Sequence, residues 1–245
     1  MEFGFVDCHC HISAREFEED LAAVIQRTKE AGIKTLVSVT EEPGEFERVL
    51  QLQDRYSDLV APCFGVHPLQ VDGGSEQRSV KPQDLDAALP LFYQHRERLT
   101  AIGEIGLDFT PWCAPSQQDR DDQMNVFIKQ LSIAKELDLP VNVHSRSAAK
   151  VTVSTMKDHG IRRALLHNFA GKPSVALEGV KAGYLFSFPP AVCRNQQVRN
   201  EPSNITLSCR YIAEIKGLSP ETVQLITAQN AYRLFPKANK IHVQD

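Results

Sequence analysis

The stretch TAIGEIGLD, residues 100–108, sets a short apolar run directly against two carboxylates. Residues 100–103 have the character of a buried strand. Glu104 follows between Gly103 and Gly106, and Asp108 stands four positions further on. A carboxylate at the end of a buried strand is costly unless it is paired or bound to a cation. Glycines on both sides let neighbouring backbone come close to it. An ion pair to a nearby arginine is the plainer account of the same residue, so Glu104 has to be weighed with what surrounds it.

Outward from this stretch the chain alternates. Short apolar runs occupy 3–7, 35–39, 59–64, 100–103, 140–143, 164–166 and 184–188. Amphipathic stretches fall at about 16–31, 45–56, 83–98, 117–138, 147–159, 173–182, 203–216 and 219–228. Within 121–138, Met124, Phe127, Ile128, Leu131, Ala134 and Leu137 recur at helical spacing with charges between them. Repeated strand–helix units predict parallel strands joined by right-handed crossovers, in a closed barrel or a doubly wound sheet. The residues after each run separate the two. His9 and His11 follow the first run and His67 the third. Glu104 and Asp108 follow the fourth, His144 and Arg146 the fifth, and His167 the sixth. A doubly wound sheet gathers ligands at one switch point, whereas a barrel recruits them from the ends of several strands. The expected fold is therefore a TIM-like (β/α) barrel, one domain over residues 1–245.

Composition is compatible with this. The chain has 245 residues, 42% of them hydrophobic, enough for one large core. Its net charge of −4 provides no global positive field, so a polyanion would be held by a local cationic site. The six cysteines, at 8, 10, 63, 113, 193 and 209, include no Cys-x-x-Cys pair. The N-terminal MEFGFVDCHC has neither a basic nor an apolar leader segment, and no run reaches the ~18 apolar residues of a membrane span. These features predict free thiols in a reducing intracellular compartment, with nucleus and cytoplasm undistinguished. They point to no membrane and to no obligate protein partner.

The first motif, DCHCH at 7–11, is the most suggestive. Alternate residues of a strand face one side, so His9 and His11 point together while Cys10 turns away. Two neutral imidazoles so placed suit one metal ion. Cys8 and Cys10 read as small buried hydrophobes. Each histidine taken singly is as well explained by packing. Jointly, His9, His11, Glu104, His144 and His167 point to a two-metal centre, or to a damaged one. His67 and Arg146 are candidates for holding a substrate phosphate, although His67, followed by Pro68, serves equally as a loop residue. Asp108 either orients a histidine or caps a loop. His95, His159 and His242 read as solvated.

These motifs resemble the TatD family of metal-dependent deoxyribonucleases. The resemblance rests on DCHCH (7–11), GVHP (65–68), IGEIGLDF (102–109), LPVNVHSR (139–146), LLHNF (165–169), RNEP (199–202) and NAYRLF (230–235), in the family's order over about 3–236. It implies a TIM-like barrel, two divalent metal ions and hydrolysis of DNA phosphodiesters, as an exonuclease. His9 and His11 would bind the first metal, Glu104 would bridge as the catalytic carboxylate, and His144 and His167 would bind the second. Imidazole-rich ligation suits zinc, with magnesium or manganese as alternatives. The family's usual cysteine after the sixth-strand histidine is Asn168 here.

One departure is large. The family carries an eighth strand ending in Glu-Thr-Asp-x-Pro, whose Asp binds the first metal. No such motif is present. Only residues 189–203 separate the seventh run from the next amphipathic stretch, too few for a crossover helix and a strand. The eighth strand and its preceding helix are expected to be missing together, as an internal deletion would leave them. ITLSCRY (205–211) reads as a helix in preference to a replacement strand, and Glu201 is a remote candidate for the missing acid. Two rival readings stay open: a catalytically impaired form that binds DNA or a partner, and a different amidohydrolase such as a lactonase. The absence of a lysine at the fourth strand end argues against the latter.

Overall fold

In the computed structural model, residues 4–71, 77–192 and 199–239 are described. The chain begins with β1 (Phe5–Cys10), α1 (Leu21–Glu30), β2 (Ile33–Ser38), α2 (Phe46–Arg55) and β3 (Val60–Phe64). An antiparallel hairpin, β4 (Leu69–Val71) with β5 (Gln77–Ser79), interrupts the alternation. Then follow α3 (Pro82–Asp86), α4 (Leu89–Gln94), β6 (Ala101–Gly106), α5 (Gln117–Glu136), β7 (Val141–His144) and α6 (Ala149–Asp158). The chain continues through β8 (Ala164–Leu166), α7 (Pro173–Lys181), β9 (Leu185–Phe186), α8 (Ile205–Lys216) and α9 (Pro220–Leu234). No described helix is long and apolar enough to cross a membrane.

Seven strands pair in parallel, in the order β1-β2-β3-β6-β7-β8-β9. Alternate strand residues divide between two cores. Phe64, Ile102, Val141, Val143 and Leu166 pack against helices α2 and α5. Val37, Cys63, Ala101 and Leu165 pack on the other face with Leu234 and Phe235 at the end of α9. This is the period-two division expected of a sheet covered on both faces. The sheet curls as a TIM-like barrel does, but β1 and β9 do not pair with each other. Among the described residues no strand follows β9. All of β3 and β6 is buried, whereas all of β1 and β9 is only half-buried. A cavity of about 230 Å³ lies between these edges, lined among others by Phe5, His9, Phe186, Ile205 and Leu234. Leu177 and Val180 on α7 and Tyr211 and Ile215 on α8 are exposed apolar residues. An open seam with uncovered helix faces is what a barrel lacking its eighth strand and preceding helix presents.

Several local expectations are corrected. The stretch 83–98 splits into α3 and α4, because Pro90 in the first turn of α4 cannot continue an earlier helix. The last helix runs to Leu234, six residues past the expected 228. His9, Glu104 and His144 lie inside their strands, not beyond them. His95 is half-buried, its ring edge-on to Phe64 at 5.8 Å, and His159 is half-buried at the end of α6. His242 and Cys193 fall outside the described residues. The other five cysteines are unpaired. ITLSCRY lies in α8, and Glu201 is held away by Arg27 at 2.7 Å.

Candidate metal centre

Glycine brings the central strands close enough to build the site. Gly103 faces Asn142, and a Cβ there would meet the Asn142 Cβ at 2.5 Å. Gly106 pairs with His144 at φ +145°, and a Cβ there would meet the His144 carbonyl at 2.0 Å. Both positions exclude a side chain. Between them stands Glu104, 2% exposed.

The Glu104 carboxylate divides the histidines. Its Oε1 is 2.6 Å from His167 Nε2, 2.9 Å from His144 Nδ1 and 3.5 Å from His67 Nε2. Its Oε2 is 3.2 Å from His11 Nε2 and 3.4 Å from His9 Nε2. Five imidazoles from four strand ends thus converge on one buried acid. Burial raises its pKa, but His167, His67, His9 and the hydrogen bond from His11 outweigh that and hold the carboxyl well below its usual range.

The surrounding hydrogen bonds decide what these nitrogens offer. Asn142 donates from Nδ2 to the Cys8 carbonyl at 2.8 Å, which aims its Oδ1 at His9 Nδ1, also at 2.8 Å. His9 must therefore carry its proton on Nδ1, leaving the Nε2 lone pair facing Glu104. His167 stacks flat on His9, centroids 3.6 Å apart and planes 3° apart. Burial above all pushes its pKa down to about 3, so it is neutral. Its buried Nε2 makes no hydrogen bond despite lying 2.6 Å from Glu104. With its proton on Nδ1 the neutral ring would turn its Nε2 lone pair to the carboxylate, and the donor set of imidazole and carboxylate suits divalent ions.

His144 differs. Its Nδ1 meets Glu104 and its Nε2 meets Asp108 Oδ2, both at 2.9 Å. Burial favours the neutral ring, yet the bonds to Asp108 and Glu104 prevail and raise its pKa to about 9. Asp108 is buried, and burial pushes its pKa up. Hydrogen bonds from His144 and Thr110 overcome this and bring it to about 2. Asp108 thus holds one edge of His144, leaving Nδ1 as the ligating atom once its proton departs. His11 is likewise raised to about 9: burial opposes, Glu104 and Glu41 prevail. His67 Nδ1 lies 3.0 Å from the Leu69 N–H and 3.2 Å from the Leu69 carbonyl. Either tautomer finds a backbone partner, so Nε2 is free to donate to a phosphate or to ligate. Arg146 is 62% exposed at the mouth, its Nε 3.8 Å from Asp108. Burial drives Cys8 up to about 12 and Cys10 also upward, so neither presents the thiolate that ligation needs.

Among the described residues, three groups of donors are compact enough to hold an ion: His9–Glu104–His167, His67–Glu104–His144 and His11–Glu41–Glu104. The first sets His9 with His167, whereas the two carboxylate oxygens set His9 with His11. The second partition gives each carboxylate oxygen its own imidazoles.

Four contributors escaped sequence reasoning. Asn142 lies inside an apolar strand and fixes a tautomer. Glu41, just past β2, approaches His11 Nδ1 at 3.9 Å; an acid after a strand was the available signal. Gln130 of α5 bonds the Val66 N–H at 2.9 Å and its carbonyl at 3.0 Å, bracing the loop that carries His67. Gln123 of α5 does the same for Asp108, at 2.8 and 2.9 Å. Nothing in a helical pattern marks these glutamines, since their partners lie on another element.

Residues 6–199 match the family model described as TatD related DNase. The chain is similar to human Deoxyribonuclease TATDN3, with 46% identity over 261 positions, 96% of this chain and 95% of the relative. Those 261 aligned positions exceed the 245 residues of this chain, so at least 16 are filled by the relative alone. A Bacillus subtilis protein, the uncharacterized metal-dependent hydrolase YabD, is 28% identical over 262 positions, covering 94% of this chain and 98% of the relative. Among solved structures, the TatD homolog YjjV of Escherichia coli superposes with a TM-score of 0.81 at 25% identity, covering 96% of this chain and 99% of that one.

Proposed function

This chain belongs to the TatD-related DNase family of metal-dependent hydrolases, and from that membership we propose that it hydrolyses DNA phosphodiesters as a two-metal exonuclease. The observation that carries the reading is the convergence of five imidazoles on the buried Glu104 carboxylate. His9 and His11 would hold one divalent ion and His144 and His167 the other, with Glu104 shared between them. Zinc suits the imidazole-rich set, and magnesium or manganese suits the carboxylates. Divalent ions there would supply Lewis-acid polarisation of the phosphoryl oxygens and activation of water.

The chain's own residues do the remainder. Arg146 presents a planar fork to two phosphate oxygens and His67 donates from Nε2. Asp108 keeps His144 in register, and Asn142 keeps the His9 lone pair turned inward. The described acids that line the seam cavity, Asp7 and Glu201, belong to none of the compact donor groups, so neither stands ready to take the proton of the attacking water. The open seam therefore favours a second reading, in which DNA is bound but cleaved slowly.

Elemental analysis of the purified monomer tests the centre, and release of nucleotides from end-labelled DNA tests the chemistry. About two ions per chain with end-dependent release supports the proposal. Two ions without release selects the binding reading. Turnover of lactones or amides in place of DNA would overturn both.

A further inference from the structure

The cavity of about 230 Å³ in the open seam has no part in this chemistry. Phe5 of β1, Leu185 and Phe186 of β9, Ile205 of α8 and Leu234 of α9 give it apolar walls. A cavity with apolar walls alone stays dry, and one of about 150 Å³ accepts a benzene ring. The seam cavity is larger, and its wall is not purely apolar. Ser208 of α8 lines it and is 5% exposed, and its Oγ has no hydrogen-bond partner among the described residues. A buried hydroxyl without a partner is costly, and folded chains rarely keep one. The Thr227 hydroxyl, on the same wall, is satisfied: its Oγ1 donates to the Val223 carbonyl at 2.8 Å. Ser208 thus offers the cavity a polar group that the fold itself does not employ.

The charges on the wall narrow the class of occupant. Asp7 and Glu201 both line the cavity, and among the described residues no lysine or arginine does. Arg27 holds the Glu201 carboxylate at 2.7 Å, and Asp7 Oδ1 accepts the His9 N–H at 3.2 Å. A carboxylate or phosphate entering here would meet two acids and no cation, and would lose its hydration without return. A neutral hydroxyl can instead exchange a hydrogen bond with Ser208, whose Oγ both donates and accepts. Two phenylalanines on the wall, Phe5 and Phe186, favour an aromatic ring. The volume admits one ring with a short substituent. Charge therefore sets this cavity apart from the mouth, where Arg146 and His67 suit phosphate.

We propose that the seam cavity is a binding site for a small neutral phenol, one aromatic ring with a short apolar substituent, whose hydroxyl pairs with Ser208. His9 and His167 line the same cavity, so the bound ring lies beside two candidate metal ligands. It also joins β1 to β9 across the seam and steadies the strand that carries His9. Phenol and zinc binding therefore strengthen each other. This coupling rests on the metal reading above; the site itself goes beyond that reading and does not depend on it.

Three probes, 4-ethylphenol, ethylbenzene and 4-ethylbenzoate, test the site by isothermal titration into the metal-free chain in chelator. 4-Ethylphenol is expected to bind, ethylbenzene to bind roughly three- to tenfold more weakly for want of the hydroxyl, and 4-ethylbenzoate not to bind. S208A should bring 4-ethylphenol down to the affinity of ethylbenzene and leave ethylbenzene itself unchanged. A231F, which fills the cavity from α9, should abolish binding of both. S208A removes only an unpaired atom and carries the test should A231F fail to fold. Saturating 4-ethylphenol should tighten zinc binding about fivefold or more. No binding of 4-ethylphenol by the wild type, or equal binding by wild type and S208A, overturns the site. Full affinity in a folded A231F places the ligand elsewhere and overturns it as well. 4-Ethylbenzoate binding as tightly as the phenol overturns the neutral head group. Phenol binding with zinc affinity unchanged overturns the coupling and leaves the site and the metal reading standing. Zinc failing to bind with or without the phenol overturns the metal reading, while S208A still decides the site.

Discussion

Asn142 determines what His9 can be. Its amide is oriented by the Cys8 carbonyl, and only its oxygen reaches the ring. N142L should lower metal affinity by roughly 10- to 100-fold through loss of the fixed tautomer. Isothermal titration with zinc checks this, beside a thermal melt to separate stability from binding. His144 makes a second prediction. Its pKa of about 9 stands above the ordinary 6.5. Protonated His144 therefore stabilises the metal-free fold fully below pH 6.5, and that contribution is lost as pH rises through 9. His11 acts in the same direction. Asp108, lowered to about 2, contributes above pH 3.8 and is lost only in strong acid. Melting temperature in chelator should fall across the window from 6.5 to 9, while metal affinity rises there because ligation requires the proton to leave. A chelated protein whose melting point stays flat over that window would refute the protonated pair. At this scale the histidines and Glu104 were legible, because imidazoles recurring after apolar runs are rare by chance. Asn142 and Glu41 were not, because each acquires its meaning from a residue on another strand.

Helix α5 shows what a single element does for the site. Ser116 caps it, its Oγ accepting from the Asp119 N–H at 3.1 Å. Phe127, Leu131 and Ala134 anchor its inner face in the core. Two buried glutamines on the same face each satisfy a donor and an acceptor of the loops bearing Asp108 and His67. Q130L keeps the volume but leaves the Val66 N–H and carbonyl unpaired in a dry setting, a cost of about 2–4 kcal/mol. Denaturant melts should show that loss, with a raised KM and a smaller change in kcat, since His67 is displaced and the metal ligands are not. An unchanged KM would remove Gln130 from the support of the substrate site. The helical spacing of 121–138 made this helix visible in advance, but its polar inward residues run against the pattern and stayed hidden. The hairpin β4–β5 was equally invisible, since three-residue strands are too short to show alternation. α3 and α4 share one amphipathic pattern in sequence, and Pro90 in the first turn of α4 marks the break between them.

The whole molecule is a barrel with one seam open. Barrel topology was readable because chemistry followed several strands, and the seam because the spacing after Phe188 leaves no room for another strand. The consequence that spacing did not reveal is energetic: β1 and the residue after it carry two imidazoles of the centre on an edge that no described strand pairs. Backbone groups on its free side exchange hydrogen bonds with water or with another chain. Local opening costs less where fewer partners are lost. Amide exchange should therefore be faster in β1 and β9 than in β3 and β6, which have neighbours on both sides. Metal binding ties His9 and His11 to Glu104 of β6, so loading with zinc should slow exchange in β1 far more than in β9, which supplies none of the candidate ligands. Equal protection of all four strands without metal would mean the seam is closed in solution. Slowing that spares β1 would mean that its histidines do not hold the ion. The two outcomes separate a fault in the fold from a fault in the centre, because the first depends on edge pairing alone and the second on ligation across the sheet.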